Sequence, residues 1–357
     1  MAAPAAAVAQ REDADRLGLQ ERLDDVVAAG AVGALAEVRD DEDGVHRARS
    51  GVAALGTNRP VPLHGRFRAG SITKTFLATV VLQLVDKNRL RLDDSVERWL
   101  PGVVPGGDKI KVRHLLNHTS GLFDFRRTLQ LPPSPEFLEY RWRTWTPAEQ
   151  VARAVARPPR PEPPGTVFEY SNTNYTLLGM IVEKVTGRSY AKEIERRLIW
   201  PLGLSQTTMP GTSPWIRGPY PRGYAPVDRG GEKPDLVDFT EMNPSLFGAA
   251  GELISTTKDL STFFAALLGG HLLPDHLLDE MKKQGVPGGR KYGLGLAWID
   301  TTCGVRAYGN DGDALSYQSW AFTSEDLRRQ VTVVATPNFD GDPDDAVEAL
   351  LDEAFCD

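Results

Sequence analysis

The order of strand-like and helix-like patterns is the feature of this sequence that most constrains its fold. Runs rich in β-branched or alternating residues occupy positions 32–38 and 51–55, with an acidic turn at 40–44 between them. Similar runs return only near the C-terminus, at 293–299, 305–308, 316–322 and 331–336. Helical spacing dominates between the two groups. Because a sheet must bury at least one face, strands from both termini are expected to form one sheet with a helical insert.

This pattern predicts a two-part architecture, α/β plus all-α. Amphipathic spacing predicts helices over residues 17–29, 71–88, 175–185, 259–268 and 346–355. Segments 17–70 and 280–357 are expected to form the α/β domain, and 71–279 a mainly helical domain with a Gly- and Pro-rich surface loop at 210–234. Residues 1–16 are expected to be disordered.

The composition is that of an ordinary globular protein. With 357 residues, 41% of them hydrophobic, the chain can bury a large core, and its formal net charge of −7 argues against nucleic acid or an anionic membrane as the main partner. No apolar run is long enough to span a bilayer, so no membrane span is expected. The N-terminus does not resemble a secretion signal, which indicates either a cytoplasmic protein or one whose signal was removed.

The first candidate for chemistry is the tetrapeptide Ser71-Ile72-Thr73-Lys74. On a helix that starts at Ser71, residues 71 and 74 share one face, and the helix N-terminus favours negative charge on the serine oxygen. A partly desolvated Lys74 could lose its proton and act as a base. The same tetrapeptide is also compatible with a serine that merely caps a helix.

The second candidate is Tyr170-Ser171-Asn172, which follows a Pro-Gly turn and precedes a helix pattern. A tyrosine near cations can ionise more easily and transfer a proton, and an asparagine amide can orient a carbonyl or a lysine. The alternative is an ordinary loop tyrosine followed by a helix cap.

The third candidate is the segment from Tyr308 to Asp313, predicted to lie at the end of a strand. Glycines there let a substrate backbone approach closely. The alternative is an ordinary Asn-Asp-Gly turn in a hairpin.

The order and spacing of the three motifs resemble those of the serine penicillin-recognising enzymes. Tyr170 follows Lys74 by about 100 residues and Gly312 follows Tyr170 by about 140. The similarity to actinomycete DD-carboxypeptidases, class C β-lactamases and D-aminopeptidases extends over the segments 66–74, 114–122, 170–179, 250–260, 292–296 and 303–312. The resemblance implies a β-lactamase/DD-peptidase fold, in which an antiparallel sheet flanked by helices carries an inserted helical domain and the site lies in the cleft between them.

The resemblance also implies a role for each motif residue. Ser71 would be the nucleophile, Lys74 its base, Tyr170 the proton carrier to the leaving group, and Asn172 the group that positions the acyl amide. The oxyanion hole would be formed by the backbone N–H groups of Ser71 and Asp313. No metal or organic cofactor is expected.

Four further residues are candidates for a specific role. Phe123 is a candidate substrate contact because aromatic residues also follow the Ser-Gly-Leu turn, residues 120–122 here, in relatives. Trp298, near the third motif, could contact substrate or pack in the sheet. Spacing leaves Cys303 and Cys356 open as a bridge or two free thiols, and the resemblance implies a disulfide.

The third motif departs from the family pattern. Relatives carry His-x-Gly or Lys-x-Gly, whereas this chain has Asn310-Asp311-Gly312. Asn310 is expected to bond Tyr170 without carrying a proton. Asp311 and Asp313 would repel a substrate carboxylate and attract an ammonium group. The alternative is that Asp311 or Asp313 points to solvent.

Two functions follow as hypotheses. The first is hydrolysis of an amide or ester through an acyl-enzyme on Ser71, as in a D-amino-acid amidase, a peptidase or an esterase. The second is a transacylase or peptide cyclase of natural-product biosynthesis, in which an amine resolves the same acyl-enzyme. The expected partner is a small-molecule or peptide substrate that could bear an amine. An inactive sensor is the third option.

Overall fold

The computed structural model describes residues 18–356 of the chain. The segment 1–16, predicted from sequence to be disordered, lies outside the described residues. Within them, six strands form one antiparallel sheet in the order β2-β1-β10-β9-β8-β7. These strands are β1 (Ala31–Asp40), β2 (Gly44–Gly51), β7 (Ala297–Asp300), β8 (Arg306–Asp313), β9 (Gln318–Ser324) and β10 (Arg329–Pro337). The sheet is therefore assembled from both ends of the chain, as the sequence predicts.

Small and β-branched residues let β1 and β10 pair in the interior of the sheet. Leu35 pairs with Val334, and Ala34 pairs with Ala335. Their side chains alternate between two faces, so that Ala34 packs in one apolar cluster and Leu35 in the other. Helices therefore cover both faces of the sheet.

The helices of the chain are α1 (residues 18–28) and nine that follow it among the described residues. These are α2 (Thr73–Asp86), α3 (Val96–Trp99), α4 (Val112–Leu116), α5 (Pro147–Val155), α6 (Asn172–Thr186), α7 (Tyr190–Ile194), α8 (Thr257–Leu268), α9 (Asp275–Lys282) and α10 (Asp344–Cys356). Short 3₁₀ turns lie at Gly70–Ile72, Phe125–Thr128, Pro135–Tyr140, Pro244–Leu246 and Gly248–Ala250. Two small two-stranded sheets pair β3 (Phe67–Arg68) with β6 (Ile254–Ser255), and β4 (Tyr224–Val227) with β5 (Asp235–Asp238).

Helix α8 packs against the sheet, although it lies within the segment 71–279 that was predicted to form the helical domain. Ser261 Oγ on α8 lies 3.2 Å from Thr332 Oγ1 on β10. On its other side, Phe263 stacks on Phe76 of α2 with ring centroids 3.7 Å apart. Helix α8 therefore joins the sheet to α2, the helix that follows Ser71.

Two strand predictions need correction. The strand predicted at 51–55 is wrong, because β2 is Gly44–Gly51, a strand at the edge of the sheet whose polar residues gave no apolar pattern. The strand predicted at 293–299 begins only at Ala297, since Gly295 has φ +82°. A Cβ at Gly295 would lie 2.4 Å from Ala78 of α2, so close helix packing interrupts the strand.

The third motif forms the last part of β8, which ends at Asp313, so its predicted place at the end of a strand is confirmed. Asn310 pairs with Ala321, and Gly312 pairs with Ser319 of β9. The alternative of an Asn-Asp-Gly hairpin turn is therefore wrong. The predicted loop at 210–234 likewise contains β4.

The two cysteines form the expected disulfide. Cys303, between β7 and β8, is bonded to Cys356 at the end of α10, with their Cα atoms 5.7 Å apart. The bond ties the last helix to the sheet. None of the helices within residues 18–356 combines the length and apolarity needed to cross a membrane.

Candidate active site

Ser71 lies on a tight turn between β3 and α2. Gly70 begins the 3₁₀ turn that carries Ser71 and has φ +51°, a conformation that favours glycine. A Cβ at Gly70 would also lie within 2.8 Å of the backbone of Asp313. The glycine before Ser71 therefore allows β8 to approach the serine.

Ser71 is hydrogen-bonded to both expected partners. Its Oγ lies 2.6 Å from Tyr170 Oη and accepts a hydrogen bond from Lys74 Nζ at 3.0 Å. The Lys74 ammonium also lies 4.9 Å from the centre of the Tyr170 ring. The structure thus brings together three polar groups that the sequence separates by up to 99 residues.

Lys74 is fully buried and held in one position. Besides Ser71, its Nζ donates to Asn172 Oδ1 at 2.9 Å and to the carbonyl of Ala250 at 2.7 Å. Burial lowers the pKa of Lys74 from 10.5 to about 7, while the charge of Asp124 opposes the shift. A substantial fraction of Lys74 is therefore neutral at physiological pH and able to accept a proton.

Burial shifts the pKa of Tyr170 in the direction opposite to that of Lys74. Its burial raises the pKa of the phenol well above 10, and the hydrogen bond with Ser71 lowers it by less. The expectation that nearby cations make this tyrosine ionise easily is therefore wrong for the resting site. A protonated Tyr170 suits donation of a proton, and the near-neutral pKa of Lys74 suits acceptance of one.

Asn172 is held by contacts at both ends of its side-chain amide. Its Oδ1 accepts from Lys74, and its Nδ2 donates to Asp124 Oδ2 at 2.9 Å. Asp124 Oδ1 in turn accepts from the backbone N–H of Arg126. Asp124 therefore orients Asn172 with its oxygen toward Lys74, a role that the sequence analysis missed because this acidic residue is 48 positions from Asn172.

The backbone of β8 runs directly against the turn that carries Ser71. A Cβ at Gly312 would lie 2.0 Å from the carbonyl oxygen of Ala69, so only glycine fits there. Ser319 Oγ donates to the same Ala69 carbonyl at 3.2 Å. The Asp313 N atom would lie 2.8 Å from a Cβ on Gly70, which places this backbone amide close to Ser71.

Asn310 does not make the expected hydrogen bond with Tyr170. Its Nδ2 donates to Thr75 Oγ1 at 3.1 Å, and its Oδ1 accepts from the Asp311 N–H at 3.0 Å. Thr75 in turn donates to the carbonyl of Gly295. The assignment of Asn310 as a catalytic residue is therefore corrected: this side chain links β8 to α2.

Asp311 and Asp313 are not unopposed carboxylates. Asp311 forms an ion pair with Arg290, and Asp313 Oδ2 lies 3.7 Å from Arg126 Nη2. Asp313 Oδ1 also accepts from the Leu315 N–H at 2.6 Å. The expectation of an acidic cleft is wrong, because arginines from distant segments balance both charges. Nothing in the local sequence of Arg126 or Arg290 indicates this pairing.

The two aromatic candidates have different surroundings. Phe123 is half-buried beside the site, with the Arg127 guanidinium 5.0 Å from its ring centre, and its carbonyl accepts from Thr173 Oγ1. Trp298 is 8% exposed, with its ring 6.0 Å from that of Tyr308 and 5.7 Å from the Arg306 guanidinium. These contacts favour sheet packing for Trp298 over contact with a substrate.

His118 packs against the ring of Tyr170 and was not predicted to be part of the site. Its ring lies 4.3 Å from the Tyr170 ring, and its Nδ1 accepts from the Ser171 N–H at 3.2 Å. Burial keeps the pKa of His118 well below 6.5, so the ring is neutral. No motif in the sequence indicates this role, because His118 acts by packing against aromatic rings that come from distant segments.

Comparison with known proteins shows which family has this fold and site. The β-lactamase family model matches residues 5–355. Penicillin-binding protein 4 of Amycolatopsis lactamdurans is 32% identical over 319 residues, which cover 84% of this chain and 79% of that protein. The chain spans only about half the length of some other curated relatives.

Two solved structures are similar over nearly the whole chain. A D-stereospecific amidohydrolase from a Streptomyces species superposes with a TM-score of 0.84 at 41% identity, covering 94% of this chain and 98% of that one. A D-amino acid amidase from Ochrobactrum anthropi superposes with a TM-score of 0.82 at 28% identity, covering 95% and 97%.

The fold and site define a serine hydrolase that acts by acyl transfer. The chain belongs to the β-lactamase family.

Proposed function

We propose that this protein hydrolyses amides of D-amino acids or of short peptides that present a D-residue at the acyl position. The observation that carries the chemistry is the position of Ser71 Oγ between Tyr170 Oη and Lys74 Nζ, at 2.6 and 3.0 Å. The substrate class is supported by the two D-specific structures, of which the Streptomyces enzyme shares 41% of its residues with this chain.

In acylation, neutral Lys74 takes the proton of the Ser71 hydroxyl as its oxygen attacks the carbonyl carbon of the substrate. The negative charge that develops on the carbonyl oxygen would be stabilised by the backbone N–H groups of Ser71 and Asp313. Tyr170 then gives its proton to the leaving nitrogen as the C–N bond breaks. The Lys74 ammonium returns a proton to the Tyr170 phenolate, which restores both groups.

In deacylation, water attacks the ester on Ser71 and releases the acid. Lys74 and Tyr170 again carry the protons, since the water must lose a proton and Ser71 must regain one. Asn172, held by Lys74 and Asp124, is the residue proposed to position the acyl amide.

The ion pairs of Asp311 and Asp313 bear on the choice between hydrolysis and transfer. The main sequence argument for an amine-bearing acceptor was an acidic cleft, and Arg290 and Arg126 neutralise it. Water is therefore the proposed acceptor. Resolution of the acyl-enzyme by an amine remains the alternative that the experiment below separates.

The test compares the D- and L-forms of phenylalanine amide by ammonia release. We expect the D-form to react at least about tenfold faster, since a single well-placed polar or steric difference is enough for such discrimination. With D-phenylalanine methyl ester, added n-butylamine should leave the rate of acyl-enzyme breakdown unchanged and produce little amide.

Equal hydrolysis of both amides would contradict the stereochemical proposal. Amide formation that grows with the amine concentration would favour the transacylase instead. Ser71→Ala, measured alongside, shows the rate that does not depend on the site.

Replacement of Tyr170 with phenylalanine tests the proposed proton donor. We expect kcat for D-phenylalanine amide to fall about 10²–10³-fold with a small change in KM, because the ring remains and the proton is lost. Esters with a good leaving group should be affected less, since such a group departs without protonation. Tyr140→Phe, in a ring cluster with Phe137 and Trp145, is the matched control. An equal loss on amides and activated esters would speak against Tyr170 as the donor to the leaving group.

A further inference from the structure

His118 is a buried histidine that the proposed mechanism does not use. It lies just after helix α4, has φ +57°, and its side chain is fully enclosed. A positive φ is uncommon for residues other than glycine, although histidine adopts it more readily than most, and it persists where the surrounding contacts fix the chain. The contacts that fix His118 lead to the segment that carries Tyr170.

His118 forms hydrogen bonds to the residues on both sides of Tyr170. Its carbonyl oxygen accepts from the Glu169 N–H at 2.8 Å, and its Nδ1 accepts from the Ser171 N–H at 3.2 Å. Between these two bonds the Tyr170 ring lies against the imidazole, with the ring centres 4.3 Å apart and the planes inclined by 31°. The position of Tyr170 Oη, 2.6 Å from Ser71 Oγ, therefore depends on His118.

The hydrogen bonds of the imidazole also determine which of its nitrogens carries the proton. Besides the Ser171 N–H, the side-chain Nδ2 of Asn174 lies 3.2 Å from Nδ1. The direction of that amide is fixed, because Asn174 Oδ1 accepts from the Ser120 hydroxyl at 2.6 Å. Two donors directed at Nδ1 require that this nitrogen carries no hydrogen. Burial holds the pKa of His118 well below 6.5, so the ring is neutral and its proton is on Nε2.

Aromatic rings enclose the imidazole on its other sides. The ring of His118 lies 5.2 Å from that of Tyr292, 5.3 Å from that of Tyr175 and 5.9 Å from that of Phe168. Such close packing prevents the imidazole from moving away from Tyr170. Among residues 18–356, Nε2 has no hydrogen-bond partner, so the polar contacts of the ring are made through Nδ1.

We propose that His118 is a positioning residue for the proton donor Tyr170: the acceptor at Nδ1 fixes the backbone beside Tyr170 and so holds its hydroxyl against Ser71. The inference rests on the proton transfer from Tyr170 in the proposed function and not on its D-amino-acid substrates. His118 itself neither gains nor loses a proton. The proton passes from Tyr170 to the leaving atom of the substrate as the bond to the acyl carbon breaks.

The test compares acylation by two small neutral esters, followed through the mass of the acetylated protein. The leaving oxygen of phenyl acetate benefits from protonation, whereas p-nitrophenolate departs without it. His118→Phe keeps a ring and removes the acceptor at Nδ1. We expect its acylation by phenyl acetate to slow about tenfold and its acylation by p-nitrophenyl acetate to change less than about threefold.

His118→Asn is the conservative variant that should recover activity. Asparagine tolerates a positive φ and presents a side-chain oxygen near the position of Nδ1, so it can still accept from the Ser171 N–H. We expect it to react with phenyl acetate at least about threefold faster than His118→Phe.

Asn174→Asp tests the same hydrogen bond without changing His118. A carboxylate that faces Nδ1 favours a proton on that nitrogen, which then no longer accepts from the Ser171 N–H. We expect a selective loss of about tenfold on phenyl acetate, as in His118→Phe. This variant also decides the matter if the phenylalanine variant does not fold.

A double-mutant cycle with Tyr170→Phe shows whether His118 acts through the Tyr170 hydroxyl. Once that hydroxyl is absent, His118→Phe should slow phenyl acetate less than about twofold further, because no proton donor is left to position. A purely structural role would instead give losses that multiply and that fall equally on both esters.

The matched control is His114→Phe. His114 Nδ1 also accepts a backbone N–H, from Lys111 at 3.2 Å, just before α4. Its loss should leave the ratio of the two ester rates unchanged.

The proposal is overturned if His118→Phe or Asn174→Asp slows both esters alike or neither of them. It is also overturned if His118→Asn is as slow as His118→Phe, or if the effects of His118→Phe and Tyr170→Phe multiply. Failure of the protein to hydrolyse D-amino-acid amides would overturn only the proposed function, since neither ester depends on it.

Discussion

The variant Ser71→Ala is expected to lose covalent acylation entirely and to lower kcat/KM for D-phenylalanine amide by at least about 10⁴-fold. Among residues 18–356, Ser71 is the residue whose hydroxyl contacts both Lys74 and Tyr170. Without the nucleophile no acyl-enzyme can form, so the covalent reaction is lost. The measurement is intact-protein mass spectrometry after incubation with p-nitrophenyl acetate, together with ammonia release from the amide.

Ser261→Ala is the matched control for this experiment. Ser261 is also buried, but it lies on α8 against Thr332 of the sheet, and its loss should leave acylation unchanged. An adduct of normal mass and rate in Ser71→Ala would reject the proposed mechanism.

The second large effect is expected from Lys74→Met. Methionine fills much of the space of the lysine chain but cannot accept the proton of Ser71, so acylation should slow about 10³-fold. In the unmodified protein the acylation rate should rise with pH with a midpoint near pH 7, because burial lowers the pKa of Lys74 to about 7 and the neutral form is the base. The variant should show no such rise.

Stopped-flow measurement of the nitrophenolate burst between pH 5 and pH 9 tests both statements. Lys282→Met is the control, since Lys282 is a partly buried lysine whose Nζ lies 4.8 Å from the ring centre of Tyr308, away from Ser71. A rising limb near pH 7 that persists in Lys74→Met would assign the titration to another group.

The family and the central groups of the site could be predicted because they are carried by short, contiguous motifs. Ser71 and Lys74 are one helical turn apart, so any helix that starts at Gly70 brings them together. Tyr170 and Asn172 lie at the start of the apolar helix α6, and Gly187 marks its end in the sequence. The terminal strands were recognisable because their faces are apolar.

The errors arose where the decisive partner is distant in sequence. The polar strand β2 has no apolar period, since it lies at the edge of the sheet. Asn310 appeared placed to contact Tyr170, but the direction of a strand side chain depends on the register of β8 against α2. The carboxylates of Asp311 and Asp313 appeared unpaired because their arginines come from other segments.

The sequence by itself determined that strands from both termini would form one sheet, that helices would lie between them, and that Ser71, Lys74 and Tyr170 were the groups to examine. These conclusions depend on periodicity and on contiguous motifs, because residues close in sequence have fixed relative positions on a helix or a strand. Only the tertiary structure decided the charge state and direction of those groups. Burial sets the pKa of Lys74 and Tyr170, and strand register turns Asn310 toward Thr75. Packing brings Arg290 and Arg126 to the two aspartates, because electrostatic balance depends on distances in space that the order of residues does not contain.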